Sequence, residues 1–156
     1  MTADSLITGE VRQLLGKELM APATLKIEKG AIRLFCQAIG DTNPLWQDED
    51  YARSTRFGGT IAPPNFLSQL LFWDGDIQRR VGEIKTPVSR MLNGGNEFEY
   101  CEVVRPGDVI TARVKLVDAY EREGKTGKIL FLVSEVTYHN QTGVVVAKER
   151  TNIIRY

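Results

Sequence analysis

Between Lys29 and Ile39 the apolar residues Ile32, Leu34, Phe35, Ala38 and Ile39 recur at three- and four-residue spacing, and Gly40 supplies a natural stop, so this stretch predicts a helix ending just before Asp41. Asp48, Glu49 and Asp50 precede Tyr51 and Ala52, an acidic first turn suited to the positive end of a short second helix. Pro63 and Pro64 can open a helix at little cost because the first turn has no use for their missing N–H groups. Asn65 to Asp74 then carries enough Phe, Leu and Trp to predict a buried core helix. Asp74 to Arg90 is polar and aperiodic and reads as a loop or flap over a substrate.

The pattern changes after that. Val109 to Ala119, Lys128 to His139 and Val144 to Arg155 are β-branched and aromatic runs separated by EREGKTG and NQTG, which predicts three consecutive antiparallel strands. In the first run Ile110, Ala112, Val114 and Leu116 share one face, while Thr111, Arg113 and Lys115 share the other. The second run has apolar residues on both faces at Ile129 to Val133, as expected of a central strand whose second face packs on another subunit. A helix wrapped by an antiparallel sheet is an α+β arrangement.

Length fits a single domain, residues 1–156, able to bury a core without metal or disulfide staples. Twenty basic residues balance twenty acidic ones, so neither a nucleic-acid surface nor a basic membrane patch is indicated. No window is apolar for the length of a bilayer, and the expectation is a cytoplasmic protein that binds no membrane. Cys36 and Cys101 lack the close pairing of a zinc site and both read as buried thiols, so no metal is expected.

The chemistry-bearing types cluster in GDTNPLWQDEDYA, Gly40 to Ala52, and in FGGTIAPPNFL, Phe57 to Leu67. Together with RPGD at Arg105 to Asp108 and the NGGNE run at Asn93 to Glu97, these motifs resemble the MaoC-like hydratase and dehydratase family, a hot-dog fold, in its N-terminal dehydratase-type branch. The resemblance runs from roughly Leu25 to Tyr156. It implies addition of water to a trans-2-enoyl thioester, or the reverse dehydration, with coenzyme A or an acyl carrier as part of the substrate and no separate cofactor. In active relatives the first motif ends in His. A carboxylate and an imidazole must reach the same water, and backbone N–H groups hold the thioester oxygen as enolate charge develops.

By that resemblance Asp41 stands at the catalytic aspartate and Asn43 beside it. Gly59, Ala62, Pro63, Pro64 and Phe66 line the substrate position. Two departures matter. The histidine position holds Trp46, whose indole N–H donates but exchanges no proton near neutral pH, and the oxyanion glycine position holds Pro64, which has no N–H. An oxyanion donor is worth about two to three orders of magnitude in turnover, and a general acid or base about two to four, so the chain alone is expected to have little activity. In this branch such a domain commonly pairs with a second, catalytic hot-dog domain, so the resemblance implies a hetero- or homodimer in which this chain holds the acyl thioester.

Alternatives remain open on the residues themselves. Asp41 also reads as a turn residue satisfying backbone N–H groups, Trp46 as a buried wedge, and the Phe66, Leu67, Leu70, Leu71 and Trp73 stripe as plain core. A self-sufficient hydratase or thioesterase using Asp41 or Glu97, and an acyl-CoA binding module without activity, are the rival functions. Arg79, Arg80, Lys85 and Arg90 are candidates for coenzyme A phosphates, and His139 reads as a turn-flanking residue.

Overall fold

The computed structural model describes residues 5–68, 76–125 and 127–156. Its frame is one five-stranded antiparallel sheet: β1 (Ala23–Lys26), β2 (Met91–Tyr100), β3 (Val109–Gly124), β4 (Gly127–His139) and β5 (Val145–Arg155), in the spatial order β1-β3-β4-β5-β2. Helices α1 (Gly9–Leu14), α2 (Lys29–Ile39), α3 (Glu49–Ser54) and α4 (Asp76–Glu83) surround it, with 3₁₀ turns at Pro44–Trp46 and Pro64–Leu67.

Helix α2 occupies the predicted residues, and Gly40 ends it at φ 71°, a left-handed cap that a Cβ would strain. Its apolar stripe meets the inner face of the sheet. Ile32, Cys36, Phe66 and Leu67 pack with Ile110, Ala112 and Val114 of β3, Val136 and Tyr138 of β4 and Ala147 of β5. A second cluster joins Leu6, Val11, Val81 and Ile84 to Leu116, Leu130 and Leu132, where the strands run past the first cluster. The change of cluster coincides with a bulge in β3 between Leu116 and Asp118.

The three predicted strands are present, and β3 extends five residues beyond the expected Ala119, into the hairpin with β4. Helix α3 begins one residue after its cap, Asp48, whose carboxylate accepts from the Tyr51 N–H at 2.9 Å.

Other expectations need correction. Cys101, expected to be a buried thiol, is exposed directly after β2, while Cys36 is buried as expected. The stretch expected to be a loop, Asp74 to Arg90, contains α4, and Val81 within it and Ile84 just after it are buried among polar neighbours that obscure a period. Its hold is partly polar. Arg155, 4% exposed, donates to the carbonyls of Val81 and Ile84 and to the Thr86 hydroxyl, tying the end of α4 to β5. Burial lowers the pKa of this guanidinium from its ordinary value. The expected Asn65–Asp74 helix begins as the 3₁₀ turn Pro64–Leu67, and its continuation, with Leu70, Leu71 and Trp73, lies outside the described residues.

Strand β2 is an unpredicted element. Its sequence, MLNGGNEFEY, holds two glycines and few β-formers, but it pairs with β5 over its whole length around a bulge between Asn93 and Gly95. Asn93 holds that bulge, accepting from the Gly95 N–H at 2.9 Å and donating to the Asn96 side chain at 2.7 Å. Asn96 in turn donates to Glu149 at 2.5 Å. Glu149 is 2% exposed and accepts from the Tyr138 hydroxyl at 2.6 Å, so a buried carboxylate anchors both β2 and β4 through neutral donors.

Candidate functional site

The loop after α2 is organised by Asp41. Its N–H donates to the Cys36 carbonyl at 2.9 Å, completing the cap begun by Gly40. One carboxylate oxygen accepts from the Asn43 N–H at 2.9 Å, an Asx turn, and the other accepts from the Trp46 indole Nε1 at 2.8 Å. Asn43 repeats the device one step on, its side chain accepting from the Leu45 N–H at 3.0 Å to cap the 3₁₀ turn. The sequence D-T-N-P therefore builds two successive side-chain caps, and Pro44 sits where no N–H is needed. Trp46 is half-buried and packs on the core below α2.

This arrangement decides what the site can do unaided. Both oxygens of Asp41 already accept a hydrogen bond, and the group opposite, an indole, is a donor only. The remaining lone pairs of the carboxylate can hold a water; the pair cannot complete a proton cycle. Cys36, beneath the loop and fully buried, has its pKa raised first by burial and then by the Asp41 charge, so it remains a thiol and no nucleophile.

The second motif lies apart in role. Ala62, Pro63 and Phe66 are buried; the Ala62 N–H is spent on the Val104 carbonyl at 2.7 Å, and the Phe66 ring meets Phe35 edge-on at 5.5 Å. Pro64 is exposed and its carbonyl accepts from the Tyr100 hydroxyl at 2.5 Å. Burial, and then the Glu149 charge, push the Tyr100 pKa up to about 12, which keeps its hydroxyl protonated. Tyr100 is a functional candidate that sequence reasoning passed over, because it belongs to the strand that the sequence conceals.

Two open hollows adjoin the Asp41 loop and a third continues from them. One, of about 420 Å³, is lined by Cys36, Gln37, Gly40, Asp41, Thr42 and Gln47. It meets at Gln47 a hollow of about 310 Å³ bounded by Lys29, Arg33, Trp46 and Glu49, and this meets at Lys29, Glu49 and Thr60 a third of about 200 Å³ beside Arg53, Gly59 and Arg105. The path from Asp41 outward thus ends among four cations and one carboxylate, and that carboxylate is paired with Lys29 and with Arg53 at 3.2 Å. The expected basic residues lie elsewhere: Arg80 sits 3.7 Å from Glu83 on α4, and Lys85 and Arg90 line none of the three hollows. The side chain of Arg79 lies outside the described residues, and no cluster of metal-ligating side chains occurs among those described.

The family described as FAS1-like, dehydratase domain region, matches residues 13–149. The chain belongs to that family. This FAS1-like dehydratase domain is 32% identical over 126 residues to a UPF0336 protein of Thermobifida fusca, covering 80% of this chain and 81% of the relative. It is 30% identical over 140 residues to a probable enoyl-CoA hydratase alpha subunit of Thermomonospora curvata, covering 80% of this chain but 43% of that protein. Among solved structures, the truncated HadBC (3R-hydroxyacyl-ACP dehydratase) complex of Mycobacterium tuberculosis superposes with a TM-score of 0.74 at 19% identity, covering 90% of this chain and 96% of the other. MaoC-like dehydratases and (R)-hydratases share the fold, so the dehydratase domain has the hot-dog architecture that its motifs suggested. Among the described residues of the domain, no helix is long and apolar enough to cross a membrane.

Proposed function

We propose that this chain is the acyl-thioester-holding subunit of an (R)-specific enoyl-CoA hydratase or 3-hydroxyacyl thioester dehydratase, with the complete acid/base pair and oxyanion donors carried by a partner hot-dog chain. The observation that carries the proposal is the Asp41–Trp46 hydrogen bond: the aspartate is kept, but its partner is an indole that cannot cycle a proton. Pro64 supports the same reading by lacking the N–H that an enolate oxygen needs.

Two further features fit. The hollows beside Asp41 lead outward to Lys29, Arg33, Arg53 and Arg105, suitable for the phosphates of coenzyme A or of a carrier's phosphopantetheine. Strand β2 closes the sheet with one edge that no strand among the described residues pairs, the surface on which a second hot-dog sheet would continue. Complexes of two such chains are named among the fold neighbours, HadBC and ChsH1-ChsH2 of Mycobacterium tuberculosis.

The test is hydration of short and long trans-2-enoyl-CoA by the purified chain, followed by loss of the conjugated thioester absorbance. It is run alone and with an NPLH-bearing hot-dog protein encoded beside it. Turnover only in the mixture supports the proposal. Comparable turnover by the chain alone, abolished in Asp41→Asn, overturns it in favour of a self-sufficient enzyme, and thioester binding without turnover in either case makes the chain a binding module.

A further inference from the structure

The face of the sheet turned away from α2 carries an ordered pattern that neither the Asp41 site nor the β2 edge uses. Cross-strand register places Tyr120, Phe131, Ile154 and Leu92 in one row over β3, β4, β5 and β2. The first two rings stack at 4.8 Å, and Leu92 is 42% exposed. Four residues along β4 a second row crosses the same strands: Lys115, Glu135, Arg150 and Glu97. Its charges alternate strictly. Among the described residues none of the four forms an ion pair within the chain.

Such a row is its own complement. A twofold axis parallel to the strands and midway between β4 and β5 reverses the strand order, setting Lys115 opposite Glu97 of a second copy and Glu135 opposite Arg150. The same axis lays the apolar row on itself, Tyr120 over Leu92 and Phe131 over Ile154. It also brings β3 of the second copy, with Asp118 and Tyr120, over the hollow of about 310 Å³ left where Gly94 and Gly95 have no side chains. An isologous contact requires this kind of self-complementarity, and random surface charge does not supply it.

We propose that this outer sheet face is a second interface, at which two copies of the chain pack back to back about that axis. Four strands and eight residues of each give a footprint of about 19 by 27 Å, roughly 500 Å² per copy. Two such footprints fall at the lower edge of specific interfaces, so the association is weak and salt-sensitive, on the micromolar scale or above. The contact is independent of the catalytic reading: it doubles whatever species β2 pairing has formed.

The decisive experiment is sedimentation velocity of the wild-type chain and of two charge reversals, Glu135→Lys and Arg150→Glu, over a concentration series at low and high salt. The wild type is expected to double at high concentration, less so in high salt. Each reversal alone creates two like-charge contacts across the axis and weakens the doubling by roughly tenfold or more. An equimolar mixture of the two restores every contact to opposite sign, so it recovers the wild-type association. A wild type that never doubles, single variants that associate like the wild type, or a mixture that fails to recover each overturns the proposal. Circular dichroism shows that both variants remain folded, and the lower-mass species, formed without this face, is unchanged in all samples.

Discussion

The buried carboxylate beneath β2 gives the sharpest stability prediction. In Tyr138→Phe the ring stays in a fully buried position, and only the hydroxyl that donates to Glu149 at 2.6 Å is lost. The other carboxylate oxygen keeps Asn96 at 2.5 Å and Thr151 at 3.3 Å, so one oxygen of a group 2% exposed is left without a donor. A hydrogen bond to a charged group is worth about 1.5–3 kcal/mol, and stranding a buried acceptor costs toward the upper end. The expected loss is therefore about 2–3 kcal/mol. For a chain of this length that corresponds to roughly 4–12 °C in Tm. Urea unfolding at neutral pH measures it, with Tyr120→Phe on the outer face as a control expected to stay within about 0.5 kcal/mol. The double variant Tyr138→Phe/Glu149→Gln removes the charge along with its donor, so a double-mutant cycle should return a coupling of about 1–2 kcal/mol. A Tyr138→Phe loss below about 0.5 kcal/mol, or a coupling near zero, would refute the view that this hydrogen bond holds a charge in the core.

Two other outcomes follow from the same region. Tyr100 has its pKa raised to about 12, and Tyr138 is raised further by burial and by Glu149, so both folded-state values lie above the unfolded tyrosine value of about 10. Their contribution to stability is fully present below pH 10 and declines as pH climbs from there toward 12 and beyond. A phenolate-absorbance titration should find Tyr100 and Tyr138 ionising at higher pH than free tyrosine. Gly94→Ala places a methyl 2.7 Å from Ile154 Cδ1 and 3.1 Å from the Asn152 carbonyl, so it should cost about 1–3 kcal/mol in denaturant unfolding. Gly95→Ala, with open space around its Cβ but φ at 138°, tests backbone strain separately.

Where sequence and structure agree, one physical cue acted alone. Helix α2, its Gly40 cap, the Asp48-capped α3 and the three strands β3, β4 and β5 bury one regular face against a core, so period and punctuation suffice. Helix α4 escaped because part of its attachment is Arg155, contributed from 72 positions beyond Glu83 and invisible to any local window. The site divides in the same way. The Asp41 turn could be read from D-T-N-P, since Asx caps are local, but the bond from the Trp46 indole to the carboxylate depended on how the 3₁₀ turn swings the ring back. The cations at the mouth of the hollows are scattered over Lys29, Arg33, Arg53 and Arg105, and only tertiary packing unites them.

Strand β2 shows why the least legible element bears most on function. Its inward residues Asn96, Phe98 and Tyr100 meet Glu149, the core and Pro64; its outward residues include Leu92 and Glu97, and its outer edge has no strand beside it among the described residues. A strand with three such different neighbours cannot alternate cleanly between apolar and polar, so its sequence obeys no single period. The Asn93–Asn96–Glu149 chain explains how it remains a strand without β-formers: side-chain hydrogen bonds from within fix the bulge that propensity would not. That gives Glu149 a structural reason to be buried at the expense of its hydration. It also links the core to the proposed pairing edge, because loss of the carboxylate would release the bulge on which the register of that edge depends.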